Sequence, residues 1–230
     1  MILIALPDDH IGPMAARLRQ QVALRRDTVL VHFSGIHRAA IMLGPERDDL
    51  LALSLHPLQS FPDAVIGVRA LPGSPFAIEG DAGAIPLGES LVQDMGGLPF
   101  PIESEQKPLY HAAACMASNF MVTLMAVARD TMTACGFSEQ NAFRLLASLF
   151  KSTSKNLATL GPEHALTGPI SRGDVRTVEK HLKALALMPD AVRIYRVMGC
   201  KTVELARRKG TIDRDTAREL LAVLKNDEKM

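Results

Sequence analysis

The sequence predicts a parallel α/β part over residues 1–103 and an all-helical part over residues 104–230. Three observations carry this. Residues 2–6 and 28–33 are apolar runs, and between them Ile11, Met14, Ala15, Leu18 and Val22 recur at helical spacing, the strand, helix, strand order of a parallel unit. No strand signal follows Ile102. From Ser104 onward, capped amphipathic segments succeed one another.

The run Ile2-Leu3-Ile4-Ala5-Leu6 reads as a strand buried on both faces. Asp8 or Asp9 is expected to cap the helix that follows. The second strand, 28–33, ends at Ser34-Gly35. A short helix is expected over 36–43, and the apolar runs 50–55 and 75–78 continue the alternation. A helix over 84–95 stops at Gly96-Gly97, because glycine tolerates a left-handed terminus, and 98–102 is the last strand. Helices then follow over 104–135, 138–160, 174–187, 190–208 and 213–225. Ser138, Asp174, Asp190 and Asp213 are the expected N-caps, and Gly136, Gly161 and Gly210 the stops.

A hydrophobic content of 47% over 230 residues supplies a sizeable core. With 26 basic and 25 acidic side chains the net charge is +1, and aromatics are only 4%, so no footprint for nucleic acid or anionic lipid is visible. Cys115, Cys135 and Cys200 form no C-x-x-C pair, which disfavours a disulfide framework and structural zinc and fits a reducing cytoplasm. The apolar start is too short for a signal-peptide core. Residues 109–128 approach a membrane span in length but contain His111, Ser118, Asn119 and Thr123, and read instead as a buried core or dimer helix. The expected partners are a small-molecule substrate and a second copy, with no nucleic acid and no membrane.

An α/β part followed by helices suggests dinucleotide chemistry, yet the phosphate-binding fingerprint is missing. No two of the 16 glycines are separated by a single residue, so G-x-G-x-x-G is absent, as are the Walker loop, H-E-x-x-H and G-x-S-x-G. What remains is a polar cluster in an apolar segment, residues 107–119. Lys107, His111 and Ser118 lie at offsets of four and seven on one side of a helix, and Asn119 lies two turns beyond His111. Lys107 is a candidate general acid or carbonyl polariser, or a solvated helix entrance. Asn119 either serves a site or ties two helices together. His56 follows a strand and precedes Pro57, where parallel sheets place ligand-binding loops, and binds substrate or caps a turn. Ser34-Gly35 ends another strand. Thr167-Gly168 belongs to a tight loop feeding a helix capped by Asp174, where Arg172 binds an anion or pairs with Asp174.

Taken together, ALPDD, HFSG, SLHPLQSF, FAIEGD, KPLYHAAACMASNF, LLASLFKSTSKNLATLGPEHALTGPISRGD and VEKHL resemble a bacterial family of Rossmann-like proteins. Its C-terminal half is domain of unknown function 2520, and its members are described as NADP-dependent oxidoreductases. The similarity runs from residue 2 to about residue 187. It extends more distantly to the 6-phosphogluconate dehydrogenase-like superfamily. The resemblance implies a partial Rossmann-like sheet, a helical domain that builds a homodimer through 112–128, and NADP as cofactor. The activity it implies is hydride transfer to a small carbonyl or imine. Lys107, His111 and Asn119 then become the catalytic candidates. Pro7, Asp8, Ser34 and Gly35 fall on the cofactor side, and His56, Ser118, Thr167, Gly168 and Arg172 on the substrate side. His56-Pro57 is similar to a histidine-proline turn of prephenate dehydrogenases. Residues 2–7 correspond to the family's fourth strand, so roughly sixty residues with the glycine-rich turn are expected to be absent. That expectation implies weak NADP binding and a hydrophobic sheet edge needing cover. The competing expectation is a non-catalytic metabolite-binding or dimerisation module.

Overall fold

A computed structural model describes residues 1–44 and 49–226. The chain divides into two units, Met1–Met121 and Val122–Met230. The first unit holds a five-stranded sheet of β1 (Ile2–Ile4), β2 (Val29–His32), β3 (Leu51–Pro57), β4 (Pro75–Gly80) and β5 (Leu98–Pro101), lying side by side in that order. The helices α1 (Asp8–Gln21), α2 (Ala64–Ala70) and α3 (Ile85–Asp94) fall between the strands in sequence. β1, β2 and β3 are parallel, and β5 is parallel to β4, but β4 runs antiparallel to β3. The expected parallel sheet is thus present, with one antiparallel junction. The connection between β3 and β4 carries α2, which the sequence reading missed.

Period-two alternation builds the core on both faces. Val29, Val31, Leu53 and Leu55 pack with Phe76, Ile78 and Val92 in one cluster, while Leu30 and Ala52 pack with Ile4, Ile11, Ala15 and Met42 in another. At 25 cal/mol/Å², burial of each such large side chain contributes about 2 kcal/mol. On the Leu30 and Ala52 parity the alternation brings polar groups inside. His32 pairs with Ser54 and Ser54 with Glu79 across three adjacent strands, and all three are buried.

Several local expectations change. Residues 36–43 form only a 3₁₀ turn, Ala39–Met42, because the N–H groups of Ile36 and His37 donate to Ser34 Oγ and that of Ala39 donates to Glu79 Oε2 at 2.8 Å. α1 begins after Pro7, with Asp8 and Asp9 in its first turn and no side-chain cap. The stretch expected as one helix over 104–135 is a 3₁₀ turn, Ser104–Gln106, then α4 (Lys107–Ala117) and α5 (Asn119–Ala134), separated at Ser118. It is also not buried: Lys107 is the one buried residue of α4, and α5 has none. The span Ser104–Ala134 is long and apolar enough to cross a membrane by length and composition.

In the second unit α6 (Glu139–Ala165), α7 (Val175–Ala184), α8 (Pro189–Lys209) and α9 (Arg214–Lys225) follow. Ser138, Asp174 and Asp213 cap α6, α7 and α9 through side-chain oxygens, whereas Asp190 lies in the first turn of α8 instead of capping it. Gly210, at φ 79°, ends α8 in the left-handed conformation, while Gly161, at φ 74°, breaks α6 from within. Ile170, Val178, Val203, Leu220 and Leu224 form the core of this unit.

Burial holds His32 near pKa 4, below its ordinary value of 6.5. An unfolded chain therefore binds a proton that the folded one refuses, and stability falls as pH drops from about 6.5 to about 4, by roughly 3 kcal/mol for this group. Urea unfolding should show that fall, and His32→Asn should remove this group's share and leave that of His56, also held near 4 by burial, since the amide oxygen still accepts from Ser34 N–H without taking up a proton. An unchanged pH slope in the variant would assign the acid sensitivity elsewhere.

Candidate functional site

Because β1, β2 and β3 are parallel, their carboxyl ends lie at one edge of the sheet, the usual position of ligand sites in α/β proteins. β2 runs out through Phe33 into Ser34-Gly35, and β3 ends at His56-Pro57. Lys107, the first residue of α4, reaches under this edge. Its side chain is 0% exposed, and Nζ donates to Ser34 O at 3.1 Å and Ser54 Oγ at 2.6 Å, with Glu79 Oε2 at 4.0 Å. Glu79 is satisfied in turn, accepting from Ala39 N–H at 2.8 Å and from Ser104 Oγ at 2.6 Å. Burial lowers the Lys107 ammonium to about 8, opposed by the nearby Glu79 carboxylate.

Ser34 is held at every polar atom. Its N–H donates to His32 Nδ1 at 3.0 Å, its hydroxyl accepts from Ile36 and His37 N–H, and its carbonyl accepts from Lys107 and, at 3.3 Å, from Ser54 Oγ. His32 Nε2 lies 3.2 Å from Arg38 O, so the ring is neutral with its proton on Nε2. Gly35 then passes so close to two imidazoles that an added Cβ would sit 2.4 Å from His111 Cδ2 and 2.7 Å from His56 Nε2.

Above this turn lies a groove of about 670 Å³, lined among others by His56, Phe61, Tyr110, His111, Cys115, Ser118 and Asn119. His56 Nδ1 lies 2.8 Å from the Tyr110 hydroxyl, and its ring meets those of Tyr110 and His111 edge to face at 5.5 and 5.7 Å. Burial holds His56 near pKa 4, with His111 and Lys107 adding cationic pressure in the same direction, and burial pushes Tyr110 up to about 12. Across the neutral range His56 is thus uncharged and Tyr110 protonated. Cys115 Sγ sits 3.9 Å from His111 Nδ1. No group of three or more His, Cys, Asp or Glu side chains able to hold a metal occurs among the described residues.

The structure brings His56, His111, Ser118 and Asn119 to one groove and sets Ser34 and Gly35 beneath two of them. Lys107 does not line it and is fully buried, bound to Ser34 O and Ser54 Oγ. Thr167 lines a separate apolar groove of about 550 Å³ in the second unit, beside the hydrogen-bonded pair His181 and Tyr195. Gly168 turns there at φ 97°. Arg172 is exposed, and it contributes to holding the Asp174 carboxyl below its usual range, after the larger effect of the Thr177 hydrogen bonds. Sequence reading missed His32, Ser54, Glu79 and Tyr110 as site residues. The signal for the first three was a polar residue within an otherwise apolar strand.

The NADP that the fold class implies finds a poor match at the start of α1. Pro7, its N-cap, has no N–H to offer, and Asp8 and Asp9 place two carboxylates where a diphosphate needs a positive helix end. The residues present do not fit the diphosphate, although Asp8 could accept hydrogen bonds from sugar hydroxyls.

Residues 74–202 match the family model of a domain of unknown function, DUF2520. Protein TM1727 of Thermotoga maritima superposes with a TM-score of 0.75 at 29% identity, covering 90% of this chain and 78% of that one. A candidate NADP oxidoreductase of Bacteroides fragilis, BF3122, gives 0.69 at 22% identity, covering 90% and 74%. A 1-pyrroline-5-carboxylate reductase of Streptococcus pyogenes gives 0.55 at 13%, covering 92% and 77%. Among curated proteins no sequence match reaches significance. The neighbours establish the fold, a partial Rossmann-like sheet followed by a helical region.

Gly35→Ala should force the two imidazoles apart, at a cost of about 1–3 kcal/mol from overpacking. Urea unfolding would register the loss, and histidine ring resonances would register the displacement. A variant with wild-type stability and wild-type ring shifts would show that the turn has room to yield.

Proposed function

Since the chain belongs to the DUF2520 family, we propose that its groove is the substrate side of an oxidoreductase-type site, binding a small carbonyl or imine compound and polarising it. The observation that supports this is the His56 and Tyr110 pair at 2.8 Å. Tyr110, which stays protonated, is hydrogen-bonded to Nδ1, and Nε2 has no hydrogen-bond partner among the described residues; with the tyrosine as donor, the imidazole proton resides on Nε2. A neutral imidazole offering N–H is an electrophile: it stabilises negative charge building on a carbonyl oxygen without giving up a proton beforehand. His111, beside it, and Asn119, on the groove wall, orient the substrate. In proteins of this kind a nicotinamide cofactor supplies the hydride; the chemistry assigned to this chain stops at binding and polarisation. A metabolite-binding module without turnover uses the same groove, and the two readings part on activity alone.

We also propose that the working form is a cytoplasmic homodimer. In the first unit Leu109 and Met116 are 78% and 62% exposed, and in the second Val122 and Leu149 are 72% and 64% exposed. Apolar surface on this scale calls for cover, and a second copy presents the same faces.

Cyclopentanone, a neutral ketone, should shift the His56 ring resonances saturably, and His56→Ala should weaken its binding about tenfold, the equivalent of one lost hydrogen bond of about 1.4 kcal/mol. Absence of any shift in the wild type would sink the carbonyl reading. NADPH fluorescence should show no saturation below about 1 mM, an affinity weaker than about −4 kcal/mol; tight binding would overturn the mismatch at α1. In sedimentation without detergent the chain should run as a dimer, and Val122→Glu should shift it toward monomer. A protein that stays dispersed only in detergent would favour a membrane as the cover instead.

A further inference from the structure

Lys107 is placed to do more than fill a buried position. Its ammonium grips the Ser34 carbonyl, one residue before Gly35, while its backbone opens the helix that carries Tyr110 and His111 three and four residues later. One side chain thereby joins the two walls between which the imidazoles sit. Ser34 has no spare polar atom with which to shift, since its N–H, hydroxyl and carbonyl are all engaged. Gly35 is wedged against His56 Nε2 and His111 Cδ2 at distances that leave no room for a side chain. Any sliding of α4 relative to the Ser34-Gly35 turn must therefore change the spacing of His56 and His111, whose ring centroids are 5.7 Å apart.

We infer that Lys107 is a positioning residue: through its bonds to Ser34 and Ser54 it fixes the separation and orientation of the His56 and His111 imidazoles at the groove. The inference rests on the reading of the groove as a ligand site only for its effect on binding; its effect on the rings stands apart. Ser54 is the second anchor, accepting from Nζ and donating to the same Ser34 carbonyl, so two strands are held by one ammonium. The charged and titratable groups that act on His56 are His111, Lys107 and Asp8, with Tyr110 hydrogen-bonded to it. Removing the Lys107 charge must therefore move His56 upward as well as loosen it.

The test compares wild type, Lys107→Met and Ser54→Ala by three measurements: the cross-ring nuclear Overhauser effect between His56 and His111, the His56 titration midpoint, and cyclopentanone affinity. Lys107→Met is expected to weaken the cross-ring effect, raise the midpoint and weaken the ketone at least tenfold. Ser54→Ala keeps the charge but loses one anchor, so it should weaken the cross-ring effect and the affinity with a smaller change of midpoint. Wild-type cross-ring intensity in both variants, whatever their thermal stability, overturns the inference and leaves Lys107 a purely structural residue. Should Lys107→Met fail to fold, Ser54→Ala decides alone. If cyclopentanone does not bind even the wild type, the carbonyl reading fails while the ring measurements still decide the positioning role.

Discussion

A buried ammonium governs the first unit. Taking a lysine out of water costs several kcal/mol even after relaxation, and the cost is offset only where partners are complete. Lys107 finds them in the Ser34 carbonyl, the Ser54 hydroxyl and the Glu79 carboxylate, and each of these is itself fully occupied by groups from β2, β3 and the turns at 39 and 104. No member can be removed without orphaning another, the condition under which a polar network specifies one arrangement instead of several. The compact units divide at Met121, so α4 falls with the sheet to which Lys107 binds it. The helical segment after residue 103 is compositionally continuous, but its first turn is anchored to the sheet.

Much of this was legible in the sequence, and the omissions have physical causes. Apolar runs located all five strands, and the aspartates at 174 and 213 and Ser138 announced their helices correctly because capping is local chemistry. The direction of β4 was not legible, since connections of equal length, 58–74 and 81–97, join antiparallel strands in one case and parallel strands in the other. Nor was the exposure of α4 and α5, because an apolar helix looks the same in sequence whether a core or a second molecule covers it. Ser118 interrupted what periodicity read as one helix, so the alignment of Lys107, His111 and Ser118 along a single face did not survive intact. Individual site residues were visible while their relations were not. His32, Ser54 and Glu79 become a row only when strand register is known.

The same register explains why the groove can be neutral while lying over a charged centre. The ammonium bonds Ser34 and Ser54 and neither ring, so Lys107 reaches His56 through its field and not through a bond. A cation held at that remove favours the uncharged imidazole, and burial pushes the same way. An imidazole that stayed protonated would be a proton source, suited to quenching a carbanion or an alkoxide after it forms. One kept neutral is suited to stabilising developing charge, since its N–H strengthens its hydrogen bond as the carbonyl oxygen gains charge without ever transferring the proton.

The buried lysine and the half-buried His56 therefore stand in different places, one beneath the turn and the other on the groove. A lysine facing the groove could have supplied a proton directly, but at the price of an open, hydrated site. Sunk beneath the turn, it instead sets where the imidazole stands, and it adds to the burial and the His111 charge that keep His56 neutral. With Tyr110 fixing one ring nitrogen and the Gly35 turn pressed against the other side, His56 has little orientational freedom left to lose when a ligand arrives. Such preorganisation lowers the entropic cost of binding and of charge stabilisation alike. It does so only while α4 and the Ser34 turn remain joined, by the hydrogen bonds of Lys107 and the packing of Gly35 against His111.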